Sequence, residues 1–312
     1  MKRLALCAMA FCLPVSARGA ESKLEAAIRD YKVPPDWLAE VKSDYDTRTP
    51  WKEARLHIRK LLAEGKNREA VKLNYIYHMV QKNGSGDGHE YPMYLYLGSE
   101  HVWAAKAYAE RLAPKPKGAI FDYNALASLY ARFGDYEQAI QTLRTALERL
   151  PDPPWQINGK ATVLDKLGDV YAAMGNTEKA KEYYQEAIRL FPTSNQPYGR
   201  HLLHRHAAKT QAKLDLLNRK ALDITRLKDG VYRGSGLGYA REINAAVTLK
   251  GGRITDIRLQ HEEKIDMGAT DDVPKQIIAR QSLDVDAITG ATITVQAIVQ
   301  AVYEALQKAG MK

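Results

Sequence analysis

The chain has 312 residues, enough for two domains, and its 45% apolar and 27% charged residues exclude wholesale disorder. Its formal net charge is +9, a modest basic excess, to which the first twenty residues contribute Lys2, Arg3 and Arg18. No cluster of Lys and Arg with interleaved aromatic residues is present, so composition gives no reason to expect nucleic-acid binding.

Residues 1–20 have the pattern of a secretory signal peptide. Basic residues precede the apolar run Leu4 to Leu13, Pro14 breaks it, and small residues follow. The alternatives are a short N-terminal membrane anchor or cleavage at a lipid-modified Cys12. We expect export to the periplasm or the outer face of the cytoplasmic membrane, with no transmembrane segment in the mature chain. Both cysteines lie in this leader, which excludes disulfides and thiolate-bound cofactors from the mature protein.

Two stretches, 120–151 and 161–192, share a pattern of small and large residues. Each key position recurs 41 residues later, whereas the tetratricopeptide period is 34, and prolines occupy the longer joint. The pattern predicts pairs of antiparallel helices with glycine at the turn and proline at the end. It resembles a pair of tetratricopeptide repeats. The positions are Tyr123, Leu126, Ala127, Tyr130, Gly134, Ala139, Leu143, Ala146 and Pro151, followed by Leu164, Leu167, Gly168, Tyr171, Gly175, Ala180, Tyr184, Ala187 and Pro192.

Further helices are predicted on both sides of these repeats. Residues 51–82 resemble a third, degenerate repeat, and 92–112 and 197–222 are predicted to be helical. The glycine-rich segment 84–88 is predicted to be a flexible loop. We therefore assign 21–226 to one helical, tetratricopeptide-like domain. Such solenoids bind proteins along a concave face; the alternative is a packed spacer without a partner.

Three histidines occur on the predicted helix 197–222. His201 and His204 share a helix face, as two metal ligands would, but no acidic ligand is near them in sequence and His206 points elsewhere. We predict exposed or packing roles and assign no metal.

After residue 226 the pattern changes from helical to alternating. Residues 242–249 alternate between apolar and polar, 250–252 form a turn, and 253–260 form a second strand whose apolar phase slips once. A short strand with a glycine-rich bend precedes them at 230–239, and helices are predicted at Pro274–Ser282 and from Val295 onward. Residues 227–312 are therefore predicted to be a small α+β domain, which makes the chain multidomain.

The segment between those helices carries the motif Asp286-Ala-Ile-Thr289-Gly290-Ala291-Thr292. It resembles the Asp-x-x-Ser/Thr-Gly-Ala-Thr motif of the FMN-binding domain family, which includes flavoprotein subunits of sodium-pumping quinone reductases. The resemblance extends over roughly 229–309. It implies FMN as cofactor, bound as a phosphoester to Thr292 by a separate flavin transferase that uses FAD. The sequence departs from the family pattern at Val295 and at Lys264-Ile265 after Glu263, near the expected place of the flavin ring.

The residue types fit that chemistry. Thr292 supplies a hydroxyl at the start of the last helix, where free amides favour phosphate, and small neighbours leave room. Thr289 and Thr294 can add hydrogen bonds or cap the helix, and Asp286 can orient the loop or be read by the transferase. The predicted cofactor-binding residues are Thr292, Thr289, Gly290, Ala291, Thr294, Asp286, Gly236, Gly238 and Tyr239, the last three beside the ring.

No nicotinamide fingerprint or catalytic triad is evident. Our first hypothesis is an electron carrier whose repeats dock a protein redox partner, such as a membrane electron-transport complex. The second is a flavin-dependent reductase of a small substrate, with His261 or Tyr239 as proton donor. The third is a repeat scaffold that holds no flavin.

Overall fold

The computed structural model describes residues 22–42, 46, 48–80, 88–218, 224–263, 266, 268–283, 285 and 291–311. The leader and residues 84–87 of the predicted loop lie outside these ranges, whereas Gly88 is described, with φ of 79°. The described chain consists of a helical half, residues 22–218, and a C-terminal module, residues 224–311, with a three-stranded sheet. The helices of the helical half are α1 Lys23–Asp30, α2 Trp37–Glu40, α3 Trp51–Ala63, α4 Asn67–Val80, α5 Glu90–Leu97, α6 His101–Leu112, α7 Ile120–Arg132, α8 Tyr136–Glu148, α9 Gln156–Ala173, α10 Thr177–Leu190 and α11 Arg200–Asn218.

The predicted repeats are the hairpins α7–α8 and α9–α10. Gly134 and Gly175 occupy the two turns with φ of 79° and 74°, the left-handed conformation predicted for them. The small residues Ala127 and Ala139 are fully buried, and Tyr130 and Tyr171 fill the spaces between helices. The predicted packing of small and large residues between paired helices, with glycine in the turn, is therefore confirmed.

Gly168 shows how closely α9 and α10 approach. A Cβ atom at this position would lie 2.3 Å from Cδ1 of Tyr184. We expect Gly168→Ala to lower the free energy of unfolding by about 1–3 kcal/mol, because the ring must move within a packed core. Urea unfolding measures this. The cost should shrink in a Tyr184→Leu background, and an unchanged cost there would show that the ring is not its cause.

The segment upstream of the repeats differs in part from the prediction. Residues 92–112 are not one helix: α5 ends at Leu97 and α6 begins at His101. Ser99 lies between them with φ of 70°, a left-handed conformation that an α-helix cannot contain. The predicted third unit is a helical hairpin, α3–α4, with Gly65 in its turn at φ of 71°.

A buried ion-pair network attaches α11 to α9. Lys213 Nζ lies 2.7 Å from Asp165 Oδ2 and 2.8 Å from Asp169 Oδ1. The Thr210 hydroxyl donates to Asp165 Oδ1 at 2.8 Å, and the Tyr184 hydroxyl donates to Asp169 Oδ1 at 2.9 Å. These contacts fix the position of α11 against the second repeat.

The C-terminal module is an antiparallel sheet covered by helices. Its strands, β1 Gly230–Leu237, β2 Glu242–Lys250 and β3 Arg253–Gln260, lie in the order β1-β2-β3. Alternate β2 residues from Ile243 to Leu249 are buried as predicted. The predicted slip in β3 is a bulge: Thr248 pairs with Asp256 and Leu249 with Ile254, so Thr255 is the extra residue.

Two helices, α12 Ala269–Arg280 and α13 Thr292–Lys308, complete the module. The predicted bounds of α12, 274–282, were wrong. The Asp266 carboxylate accepts from the Gly268 and Thr270 amides at 3.1 and 3.3 Å and so starts the helix earlier, which leaves Pro274 inside it. Gln281 adopts a left-handed conformation and ends the helix before Ser282.

The two halves have separate hydrophobic cores. The larger one fills the spaces between the repeat helices, and a smaller one surrounds Trp51 and Tyr77. The core of the C-terminal module includes Ile224 and Leu227, on either side of the predicted domain boundary. That boundary stays a prediction. Among the described helices, none is long and apolar enough to cross a bilayer.

Candidate functional site

The first turn of α13 offers free backbone amides at the residue predicted to carry the phosphate. The helix begins at Thr292, and the preceding Ala291 is its N-cap. The methyl side chain of Ala291 cannot accept a hydrogen bond, whereas the usual N-cap residues satisfy one of the free amides. The first amides of this 17-residue helix therefore lack an N-cap acceptor, and they suit a phosphate. The described part of this site thus fits the phosphate of a nucleotide.

Glu263 joins three segments beside this turn. Its Oε2 accepts from the Thr294 hydroxyl at 2.9 Å, and its Oε1 accepts from the Ala240 amide at 2.9 Å. Thr294 is buried, and its hydroxyl hydrogen is directed to this carboxylate. A contact of Thr294 with phosphate stays a prediction and would have to use the oxygen as an acceptor. Sequence reasoning gave Glu263 no role of its own.

Gly236 lies on β1 against the backbone of α13. A Cβ atom there would be 2.0 Å from the Ala297 carbonyl oxygen, and one at Gly234 would be 2.1 Å from the Ala301 carbonyl oxygen. Both glycines allow the strand and helix backbones to touch. This packing accounts for Gly236 without the flavin, and its predicted place beside the ring stays a prediction.

We expect Gly236→Ala to destabilise the C-terminal module by about 1–3 kcal/mol or more, because the opposing atom belongs to a helix backbone that cannot rotate away. The thermal unfolding of flavin-free protein measures this loss without any contribution from a cofactor. Val231→Ala is the control, since Val231 is an exposed residue of the same strand. Equal stability of the two variants would contradict the packing role.

Gly238 and Tyr239 form a turn immediately after β1. The Gly238 amide donates to the Arg241 carbonyl at 2.9 Å, and a Cβ atom at Gly238 would lie 2.5 Å from Glu263 Oε1. Tyr239 is 74% exposed. The turn is therefore fixed through its backbone while its aromatic ring is free to pack against a flat ligand or a partner.

A groove of about 470 Å³ lies at the adjoining ends of β1, β2 and β3, on the sheet face opposite α13. We call it the junction groove. Arg205 of α11 lines it from one side, and Arg241, Asn244, Gln260 and His261 line it from the sheet. The Arg205 side chain crosses between the halves: one Nη donates to the Gly238 carbonyl at 2.9 Å and to the Tyr239 carbonyl at 3.3 Å.

The predicted site residues are thus only partly located. Gly236, Gly238, Tyr239, Ala291 and Thr294 lie around the start of α13 and the end of β1. Asp286, Thr289 and Gly290 lie outside the described residues, and the structure describes Thr292 only as the first residue of α13. Arg205 was missed because its contact joins two regions that the sequence suggested were separate domains.

The histidines of α11 occupy exposed or packing positions, as predicted. His201 and His204 are exposed, whereas His206 packs edge-on against Phe191 with ring centroids 5.4 Å apart. Burial lowers the pKa of His206. Within the described ranges, no group of three or more potential metal ligands is found.

Comparison with protein families agrees with this architecture. Residues 238–307 match the FMN-binding domain, and residues 119–193 match the tetratricopeptide repeat. The chain therefore carries an FMN-binding C-terminal domain preceded by tetratricopeptide repeats, and FMN is its cofactor. The first match supports a flavoprotein, and the second supports a repeat region of the kind that binds other proteins.

Individual relatives match only in part. An uncharacterized protein of Treponema pallidum is 34% identical over 85 residues, which cover 26% of this chain and 24% of that protein. The NADH:acrylate oxidoreductase of Vibrio harveyi is 31% identical over 88 residues, 27% of this chain and 9% of the enzyme. Anaphase-promoting complex subunit 7 of Arabidopsis thaliana is 31% identical over 118 residues, 36% of this chain and 20% of that subunit. The chain spans less than a quarter of each relative.

Proposed function

We propose that the protein is an exported electron-transfer flavoprotein whose FMN is joined to Thr292 as a phosphoester. The observation that carries this proposal is the start of α13 at Thr292, without a side-chain hydrogen bond from the N-cap, inside the stretch that matches the FMN-binding domain. Bound FMN takes up and releases one or two electrons.

The attachment needs a hydroxyl and a phosphoryl donor. Thr292 Oγ1 forms a bond to the FMN phosphorus of FAD, the pyrophosphate bond breaks, AMP leaves, and the hydroxyl proton passes to solvent. A separate flavin transferase catalyses this step. The free amides of the first α13 turn then stabilise the remaining phosphate charge. Glu263 holds Thr294 and Ala240 in place beside it.

The leader and the repeats suggest where and with what the protein acts. Residues 1–20 direct export, and a covalent bond keeps the flavin from being lost outside the cytoplasm. The repeats dock a protein redox partner, such as a membrane electron-transport complex. Electron transfer requires no acid or base from this chain.

A reductase of a small substrate is the second candidate. Two observations favour it: the junction groove beside the Gly238–Tyr239 turn, and the similarity to the domain of an enzyme named for acrylate reduction. Tyr239 and His261 would be its candidate proton donors.

Reoxidation kinetics separate the two candidates. Flavin-loaded protein is reduced with dithionite and mixed anaerobically with a soluble quinone, or with acrylate. An electron carrier is expected to be reoxidised rapidly by the quinone and not by acrylate. Multiple turnovers with acrylate or another unsaturated acid would contradict the carrier and favour the reductase. If the protein takes up no flavin in the presence of a transferase, the result would favour the third hypothesis, a repeat scaffold that holds no flavin.

A further inference from the structure

The junction between the halves contains a contact that the separate domains do not explain. Arg205 belongs to α11, yet its guanidinium donates to the Gly238 and Tyr239 carbonyls of the C-terminal module. We propose that α11 forms one wall of the flavin site and that Arg205 is a positioning residue that holds the Gly238–Tyr239 turn. This inference rests on the proposed function, because it assigns a helix of the repeat region to the site of the flavin.

The helical side of the contact is rigid. Arg205, Lys209 and Lys213 follow one another at intervals of four residues on α11 and so share a face. Lys213 is buried between Asp165 and Asp169 of α9, and Thr210 bonds to Asp165 as well. These bonds hold α11 five and eight residues after Arg205, about one and a half and two turns further along the helix. The Arg205 guanidinium therefore extends from a helix whose position is fixed.

The turn has matching bonds on its other side. The Gly238 amide donates to the Arg241 carbonyl and the Ala240 amide donates to Glu263, which also accepts from Thr294 at the start of α13. The carbonyls of Gly238 and Tyr239 are left for Arg205. A continuous series of bonds therefore runs from α9 through α11 and the turn to the first turn of α13, where Thr292 lies.

Arg205 also retains a donor for a bound group. Its Nε is buried and has no acceptor among the described residues. A buried guanidinium donor is costly to leave unpaired, and Arg205 lines the junction groove. Nearby, burial, with the Arg205 charge as the next cause, lowers the pKa of Lys209 to about 8. An oxygen acceptor that reached this donor, such as a ring carbonyl of a flavin, would satisfy Nε.

The test uses the full chain and two readouts. In the flavin-free Thr292→Ala background, hydrogen exchange of the 237–242 amides is compared with and without Arg205→Gln. We expect exchange to become roughly tenfold faster, as the loss of hydrogen bonds to a charged donor implies. Arg205→Lys should restore part of the protection. Arg200→Gln is the matched control, because Arg200 is also on α11 but, within the described residues, donates to the carbonyls of Gln196 and Asn195 and not to the Gly238–Tyr239 turn.

The second readout is the visible circular dichroism of the flavin in loaded protein, which reports the asymmetry of its surroundings. Arg205→Gln should change the flavin bands while Arg200→Gln leaves them unchanged. Unchanged exchange in Arg205→Gln would overturn the positioning role. Faster exchange with unchanged flavin bands would overturn the placement of α11 at the flavin site. If the wild-type chain takes up no flavin, the proposed function fails, and the exchange data still decide whether Arg205 holds the turn.

Discussion

Replacing Thr292 with alanine is expected to abolish covalent flavin attachment completely. The phosphoester requires a side-chain hydroxyl, and alanine keeps the helix while removing that oxygen. Intact-mass analysis under denaturing conditions, after co-expression with a flavin transferase, measures the result. The wild-type chain should gain the mass of FMN less one water, and the variant should gain nothing.

Two controls separate chemistry from folding. Thr292→Ser keeps a hydroxyl and should retain some adduct, whereas Thr255→Ala removes an exposed threonine of β3 and should leave loading unchanged. An adduct that persists in Thr292→Ala would place the bond elsewhere. Flavin that is present in native wild-type protein but lost on denaturation would make the module a non-covalent FMN carrier.

Lys213→Met is expected to cause the largest loss of stability, about 3–5 kcal/mol. The substitution removes the cation shared by Asp165 and Asp169, which are only 20% and 21% exposed, and it leaves Lys166 as the described partner of Asp169. Removing one partner of a buried ion pair costs about that much. Burial alone would lower the pKa of Lys213, but the two carboxylates hold it above its usual value. Urea unfolding monitored by helical circular dichroism measures the loss.

Lys181→Met is the matched control for this prediction. Lys181 pairs with Glu178 at 3.2 Å on the surface of α10, and its removal should cost less than about 1 kcal/mol. Similar losses in both variants would show that the α9–α11 network contributes no more than a surface pair. Because α11 carries Arg205, Lys213→Met should also speed exchange at the Gly238–Tyr239 turn.

The same network predicts an acid limit to stability. Burial raises the pKa of Asp169, but Lys166 and Lys213 outweigh it and hold the pKa below the usual 3.8. A carboxyl whose pKa is lower in the folded state stabilises the fold above its unfolded pKa. Its contribution should therefore decline as the pH falls below about 3.8. In Asp169→Asn this part of the acid dependence should be absent.

The sequence predicted the parts of the fold that depend on local periodicity. The repeats were recognisable because a small residue (Ala127, then Gly168) and a large one (Leu143, then Tyr184) recur 41 residues apart where two helices pack together. The alternation of 242–249 likewise predicted a strand with one buried face. Helix ends were less accurate: α12 starts at Ala269, next to amides that donate to Asp266, and apolar periodicity does not report such bonds.

The sequence predicted the kind of site but not the hydrogen bonds that join its segments. The Thr-Gly-Ala-Thr motif indicated a helix start, and α13 begins at Thr292. Glu263 and Arg205 act over long range: Arg205 meets Gly238 across 33 residues and Glu263 meets Thr294 across 31. Contacts of this kind follow from how elements pack, which a single sequence does not specify. Gly236 shows the converse, since a glycine interpreted as a flavin neighbour is explained by strand–helix packing.

The central claim is that the C-terminal module carries a redox-active flavin. The most direct measurement is the visible spectrum of the full chain, purified after co-expression with a flavin transferase, during reductive titration. We predict one flavin per chain that is bleached by dithionite and fully restored by a one-electron oxidant over repeated cycles. A colourless chain, or a flavin present far below one per chain, would contradict the account and leave the repeats as a scaffold.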